Sequence, residues 1–155
     1  MNLLDILLGK KKTISDDLFK TIESSRIKSQ NPNKNYSWLT EYKIPNAKEF
    51  TVIILEGNNQ KPNLVQLNRI KNILQNLDEF YQKIDMELKP HLKNIAINKR
   101  YIYENWKSEF YLEAIYPLDD NKVEFEFCFS RINKEKEFMI ITYRNGKLEN
   151  VDLKA

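Results

Sequence analysis

The chain contains little cysteine, histidine or glycine, and each shortage excludes a class of function. Cys128 is the only cysteine, so no disulfide can form within the chain. Because His91 is the only histidine, a zinc site built from cysteine and histidine cannot be assembled from one chain. The three glycines, Gly9, Gly57 and Gly146, match neither a phosphate-binding loop nor a dinucleotide fingerprint, which excludes the usual modes of nucleotide binding.

Long apolar runs and blocks of one charge are also missing. No apolar run approaches the roughly 20 residues that span a bilayer, and residues 1–12 lack the charge order and cleavage site of a secretory signal. The sequence therefore predicts cytoplasmic residence. The 25 basic and 22 acidic residues are interspersed and give a net charge of +3. This argues against a nucleic-acid partner, because phosphate contacts usually need a concentrated basic face.

Residues 1–12 form a short apolar and basic segment with two interpretations. Leu3, Leu4, Leu7 and Leu8 precede the lysines at positions 10–12. The segment either forms a terminal helical turn that docks on the core or lies on a membrane surface with its lysines at the lipid head groups. The second interpretation would make the protein a peripheral membrane adaptor.

The composition is that of one globular domain. At 155 residues, with 41% hydrophobic and 30% charged residues, the chain can bury a continuous core without disulfides or metals. No fixed-period repeat or low-complexity segment divides it. We therefore expect residues 1–155 to form a single domain.

The first half of the chain has strand signals followed by helical periodicity. Residues 15–17 could begin a short helix or an extended segment, of which the extended segment is favoured. Strands are predicted over residues 36–44 and over residues 50–55. From Pro62 onward, apolar residues recur at spacings of three and four, which predicts a long helical segment. We expect this segment to break at residues 76–78, with Asp78 as the cap of the second helix, and to end at Pro90.

From Glu109 onward the apolar residues recur with a period of two, and turn residues arrive at hairpin spacing. Phe110, Leu112, Ala114 and Tyr116 are predicted to share one strand face, and the next strand is predicted to place Phe125, Phe127 and Phe129 inward. Charged turns are predicted at residues 117–122 and 133–136. Residues 144–147 contain Asn-Gly, the signal of a type I′ turn that needs positive φ at both central residues. The predicted fold class is α+β: an antiparallel β-sheet, formed by N-terminal strands plus a C-terminal β meander, with a central helical pair packed on one face.

Catalytic chemistry has weak candidates only. His91 follows Pro90 with no nucleophile motif nearby, which is typical of a surface or capping residue. Cys128 lies between two phenylalanines of a predicted strand and faces away from them, which favours an inert structural thiol. We assign no catalytic, cofactor-binding or metal-binding residue.

Two groups of residues are candidates for contact with a partner. The first is basic and aromatic, of types that are enriched in protein interfaces and that also stack nucleic-acid bases or simply pack between helix and sheet. The second is acidic and lies in or beside a predicted hairpin, where a cleft would be needed for a catalytic pair or a cation site. The first group is Arg100, Tyr101, Tyr103 and Trp106, and the second is Asp119, Asp120, Glu124 and Glu126.

The order of elements resembles a group of small bacterial α+β domains. The shared features are Asp-x-x-Phe at residues 16–19, a strand with Trp38, an apolar strand at residues 50–55, a helical pair and a C-terminal meander. A glycine usually follows the phenylalanine in this group, where this chain has Lys20. Domains of this kind occur among the immunity proteins of bacterial toxin systems.

The resemblance implies a non-enzymatic protein that binds a cognate toxin and occludes its active site. On a toxin with a basic groove, the acidic candidates would mimic phosphate and speed association by electrostatic steering. The alternatives are an enzyme or small-ligand-binding domain of unfamiliar type and the membrane adaptor described above. The sequence does not determine the oligomeric state.

Overall fold

A computed structural model describes residues 3–118, 123–132 and 134–154, and its strands form one eight-stranded sheet in sequence order. The strands are β1 (Thr13–Asp16), β2 (Lys20–Ser24), β3 (Tyr36–Tyr42), β4 (Thr51–Gly57), β5 (Phe110–Pro117), β6 (Phe125–Arg131), β7 (Lys134–Arg144) and β8 (Lys147–Lys154). The helices are α1 (Leu3–Leu8), α2 (Leu64–Gln75), α3 (Leu77–His91), α4 (Ile97–Glu104) and α5 (Trp106–Glu109), with a 3-10 turn at Leu92–Asn94.

The sheet consists of two antiparallel halves that meet at one parallel pair. Strands β1–β4 are antiparallel to their neighbours, as are β5–β8, whereas β4 and β5 run parallel with Val52 opposite Ala114. Parallel neighbours require a crossover connection, and α2–α5 supply it on one face. The predicted α+β fold, with N-terminal strands, a central helical pair and a C-terminal meander, is confirmed. The parallel pair is an addition to it.

The long helical segment breaks at Asn76, within the predicted range. Asn76 has φ −119° and ψ 42°, and its side-chain amide donates to the Asn72 carbonyl at 2.8 Å. This bond satisfies the C-terminal end of α2. Asn76 also occupies the N-cap position of α3, without a side-chain capping bond, so the prediction that Asp78 is the cap is wrong. Asp78 lies in the first turn, where a carboxylate still interacts favourably with the helix dipole.

Pro90 does not end α3, contrary to the prediction. The helix continues to His91 and passes directly into the 3-10 turn, with the Leu92 N–H bonded to the Leu88 carbonyl. A proline in the last turn removes a single backbone donor, and the bond from Leu92 to Leu88 still has α-helical spacing, so the helix is not interrupted at Pro90.

The last two hairpins close differently from each other. Asn145 (φ 50°) and Gly146 (φ 80°) adopt the left-handed conformations that a type I′ turn requires, as predicted. The turn predicted at residues 133–136 is shorter, because β7 already begins at Lys134. Lys134 pairs with Arg131, and the register shifts between this pair and the next one, Ser130 with Phe138. Residue 133 and most of the turn predicted at residues 117–122 lie outside the described residues.

Lys20 closes the β1–β2 hairpin in a backbone conformation that favours glycine. Its φ is 63°, in the left-handed region, where a Cβ costs roughly 1–2 kcal/mol. We expect Lys20→Gly to raise the free energy of unfolding by about 1 kcal/mol, because relief of the strain exceeds the extra entropy that glycine loses on folding. Urea denaturation measures this change. The Lys20→Ala variant keeps the Cβ and should show no gain in the free energy of unfolding. Equal stabilities of Lys20→Gly and Lys20→Ala would contradict the proposed backbone strain at this position.

The core lies between the helices and the face of the sheet that presents the phenylalanines of β6. Phe127 is fully buried and its ring centroid lies 4.5 Å from that of Phe80 in α3. Trp106 of α5 packs edge-on against Phe129, with 5.4 Å between the ring centroids. The inward aromatic face predicted for β6 is confirmed.

Candidate functional site

The face of the sheet opposite α2–α5 is the strongest candidate for a functional surface. Directly paired residues of neighbouring strands point to the same side, so the pairing of strands β3–β8 defines this face. We call it the outer sheet face. It consists of Leu39, Glu41, Val52, Ile54, Glu56, Tyr111, Glu113, Ala114, Tyr116, Glu126, Cys128, Ser130, Phe138, Ile140, Thr142, Asn150 and Asp152.

An apolar row crosses the centre of the outer sheet face. Val52 pairs with Ala114, Ala114 with Cys128, and Cys128 with Ile140, so the row runs over four adjacent strands. Carboxylates stand at both ends, because Glu41 pairs with Val52 and Asp152 pairs with Ile140. The arrangement is an apolar strip with an acidic residue at each end.

The edge of the outer sheet face near β3 is the most exposed apolar part. Leu39 is 42% exposed, and Phe50, directly before β4, is 53% exposed. Beside them, β2 and β3 are paired at only two positions, Glu23 with Leu39 and Ser24 with Trp38, and then diverge. Where they diverge, the Thr40 hydroxyl donates a hydrogen bond to the Thr21 carbonyl at 2.8 Å. The divergence leaves an open cleft of about 480 Å³, large enough to receive a side chain of another molecule.

A β-bulge in β5 places an acidic residue at the centre of the outer sheet face. The register shifts between Leu112 and Ala114, so that Glu113 is the extra residue. The Ser130 hydroxyl donates a hydrogen bond to the Glu113 carboxylate, which shows that this side chain lies on the outer side.

The same bulge reverses the alternation predicted for β5. Ile115 is fully buried in the core, whereas Ala114 pairs with Cys128 and Tyr116 pairs with Glu126 on the outer sheet face. The prediction that Ala114 and Tyr116 share a face with Phe110 and Leu112 is therefore wrong. One inserted residue moves every following side chain to the opposite face.

Two tyrosines flank the bulge in a negatively charged environment. The pKa of Tyr111 is raised, chiefly by burial and then by the carboxylates of Glu113 and Glu49. The pKa of Tyr116 is also raised, first by burial, next by a hydrogen bond shared with Cys128, and further by the charges of Cys128, Glu113 and Glu126. The charged groups that raise these two pKa values are acidic, which indicates a negative potential around both hydroxyls.

Cys128 faces away from the phenylalanines, as predicted, and is nevertheless buried. Its side chain is 6% exposed and shares the hydrogen bond with Tyr116 described above. Together with Ala114 it forms a floor of small side chains between larger neighbours.

The basic and aromatic candidates do not form one exposed patch. Tyr103 and Trp106 are both 3% exposed; Tyr103 stacks on Phe110, and the Trp106 indole N–H donates to the Asp85 carboxylate at 2.7 Å. These two residues pack between helix and sheet. Tyr101 is exposed and Arg100 is half-buried.

The acidic candidates have different surroundings. Glu126 is half-buried on the outer sheet face, between Tyr116 and Thr142 of the neighbouring strands. Glu124 is buried and forms an ion pair with Arg144 at 3.3 Å, which neutralises its charge. Asp119 and Asp120 lie outside the described residues.

Sequence reasoning missed Tyr111 and Glu113 as surface candidates and placed Tyr116 on the wrong face. The signal for Tyr111 was available, because it alternates with the buried Phe110 and Leu112. Nothing in the sequence marks the bulge, since its register depends on the pairing of β5 with β6.

The N-terminal segment forms the short helix α1. Ile6, Leu7 and Leu8 are 60%, 63% and 44% exposed, so these three side chains do not dock in the core. None of the described helices has the length and apolar composition needed to cross a membrane.

Comparison of the chain with protein-family models, with curated proteins and with solved structures found no match.

Proposed function

We propose that this protein is a non-enzymatic protein-binding domain that uses its outer sheet face, and that it is a bacterial immunity protein. In this role it neutralises a cognate toxin by covering the active site of the toxin. One observation supports the proposal above all others: the apolar row from Val52 to Ile140 lies on the face opposite α2–α5 and has carboxylates at both ends. Apolar patches with a polar rim are typical of protein interaction sites.

The dimensions of the outer sheet face suit a protein partner. The row from Glu41 to Asp152 crosses six strands, which at a spacing of about 4.8 Å gives a width of roughly 24 Å. A standard interface buries about 800 Å² on each partner, and a square patch of that area is roughly 28 Å wide. The outer sheet face has a similar width. The side chains stand on paired strands, so little conformational entropy is lost when a partner binds.

The residues near the β3 edge are suited to anchor the partner. Leu39 and Phe50 are exposed beside the open cleft, and an aromatic residue next to a pocket is a common source of binding energy. Both side chains are exposed enough for substitution without loss of the core.

The test is rescue of bacterial growth by co-expression with a toxin domain, beginning with the C-terminal domain encoded by the adjoining reading frame. We expect the natural chain to restore growth and Leu39→Asp to weaken toxin binding about tenfold or more, because a charge replaces an apolar contact at the interface. Titration calorimetry with the purified toxin domain measures the dissociation constant.

The matched control is Val65→Asp, which introduces the same charge at an exposed apolar position of α2, away from the outer sheet face. This variant should bind and rescue like the natural chain. Equal weakening by Leu39→Asp and Val65→Asp would contradict the assignment of the surface. If the chain fails to restore growth with every toxin domain encoded in the same genome, the proposed immunity function is wrong.

A further inference from the structure

We infer that the partner presents a basic, arginine-bearing protein surface to the outer sheet face, and that an arginine side chain of that surface docks at Tyr111, Glu113, Tyr116 and Glu126. This inference rests on the proposed function and specifies the chemistry of the partner. We call these four residues the acidic–aromatic centre.

The first argument is the sign of the charge. On strands β3–β6, the described residues of the outer sheet face include carboxylates and no lysine or arginine, although the whole chain has a net charge of +3. Arg144, at the end of β7, is engaged with Glu124 and so does not offset this excess. The carboxylates are Glu41, Glu56, Glu113 and Glu126.

The second argument is the kind of groups that stand around the bulge. Tyr111 precedes Glu113 by two residues and Tyr116 follows it by three, and Glu126 is the cross-strand partner of Tyr116. Carboxylates accept the paired N–H donors of a guanidinium, and tyrosine rings attract its planar cation. An arginine that stacks on a ring while it pairs with a carboxylate uses both kinds of contact.

The third argument is the low surface that lies between these groups. Ala114 and Cys128 pair across β5 and β6 within the centre, and both have small side chains. The larger Tyr111, Tyr116 and Glu126 stand on the same face around them. Ala114 and Cys128 are 8% and 6% exposed, and Tyr116 shares a hydrogen bond with Cys128, so the larger neighbours cover these small side chains. A long cationic side chain can therefore lie on Tyr116, with its charge at Glu113 and Glu126.

The sign of the charge also selects among partners. Phosphates of a nucleic acid and of an anionic membrane would be repelled by this face, because like charges at an interface are unfavourable. A basic protein surface has the complementary sign and gains rapid association through electrostatic steering. The observations therefore favour a protein partner at this surface.

The experiment uses the full chain and a fluorescein-labelled peptide of nine arginines, with a peptide of nine citrullines as the uncharged control. Fluorescence anisotropy at low ionic strength gives the dissociation constants. We expect the arginine peptide alone to bind, Glu126→Lys to weaken it about tenfold and Glu113→Gln about fivefold. The matched control Glu87→Lys makes the same charge change on an exposed position of α3 and should alter affinity less than about twofold.

Thermal unfolding of each variant shows whether it is folded, and Glu126→Gln replaces Glu126→Lys if that variant is not. Equal weakening by Glu126→Lys and Glu87→Lys would show a response to net charge alone and would overturn the inference. Binding of a thymidine oligonucleotide to this face, with no binding of the arginine peptide, would overturn it as well.

The toxin domain separates this inference from the proposed function. If Leu39→Asp weakens toxin binding while Glu113→Gln and Glu126→Lys leave it unchanged, the outer sheet face is the interface and the arginine contact is wrong. If none of the three variants affects toxin binding, the proposed surface itself is wrong.

Discussion

Replacement of Phe127 by alanine should lower the free energy of unfolding by about 3–5 kcal/mol and the Tm by roughly 6–20 °C. The ring is fully buried, and its centroid lies 4.5 Å from that of Phe80, 6.4 Å from that of Phe125 and 6.3 Å from that of Tyr143. Its removal loses the burial of a large apolar group and leaves a cavity that neighbours on a paired strand and a helix can fill only in part. Calorimetry and urea denaturation both measure the change.

The position of Phe127 makes it a sensitive site for stability. It stands on an interior strand and connects the sheet to α3 through Phe80. The control is Met86→Ala, on the exposed side of α3, where the side chain is 66% exposed and the change should stay within about 0.5 kcal/mol. A loss below about 1.5 kcal/mol for Phe127→Ala would mean that this ring is not enclosed as the structure shows.

Substitution of Gly57 by alanine should destabilise the fold by about 1–3 kcal/mol through overpacking. A Cβ at this position would lie 2.5 Å from the Lys61 carbonyl oxygen, 2.6 Å from Cδ1 of Trp38 and 2.7 Å from Cα of Pro62. Two of these atoms belong to the backbone, so they cannot move by a side-chain rotation. The chain leaves β4 here and turns toward α2, with Gly57 and Pro62 paired in an isolated bridge.

Trp38 provides a specific readout for Gly57→Ala. Its indole N–H donates to the Asn58 carbonyl at 3.1 Å, so displacement of the ring should shift its NMR resonance while the Trp106 resonance stays in place. Gly146→Ala is the control, because its Cβ would have no heavy atom nearer than 4.0 Å and only the positive φ is unfavourable. An unmoved Trp38 resonance, together with no loss of stability, would refute the close contact.

Local pattern was enough to predict most of the fold. The type I′ turn at Asn145 and Gly146, the break at Asn76 and the inward phenylalanines of β6 depend on neighbouring residues and on a regular period, so the sequence contains their signals. Pro90 was misjudged because a rule for helix interiors does not apply in a last turn that continues as a 3-10 turn.

The candidate site was predicted much less completely than the fold. Glu126 lies half-buried on the outer sheet face, whereas Glu124 is buried and neutralised by Arg144, a residue from a different strand. Tyr103 and Trp106 belong to the core, because the helices that contain them pack against β5 and β6. Contacts with distant segments of the chain therefore decided the surroundings of Glu124, Tyr103 and Trp106.

The amino-acid sequence by itself determined the class of fold, the general order of strands, then helices, then strands, and the inward side of β6, since these follow from periodicity and turn chemistry. Only the tertiary structure decided which residues form the outer sheet face. The reason is the bulge at Glu113: an extra residue becomes a bulge only through the strand that pairs with it, and that pairing moves Ala114 and Tyr116 outward and Ile115 inward.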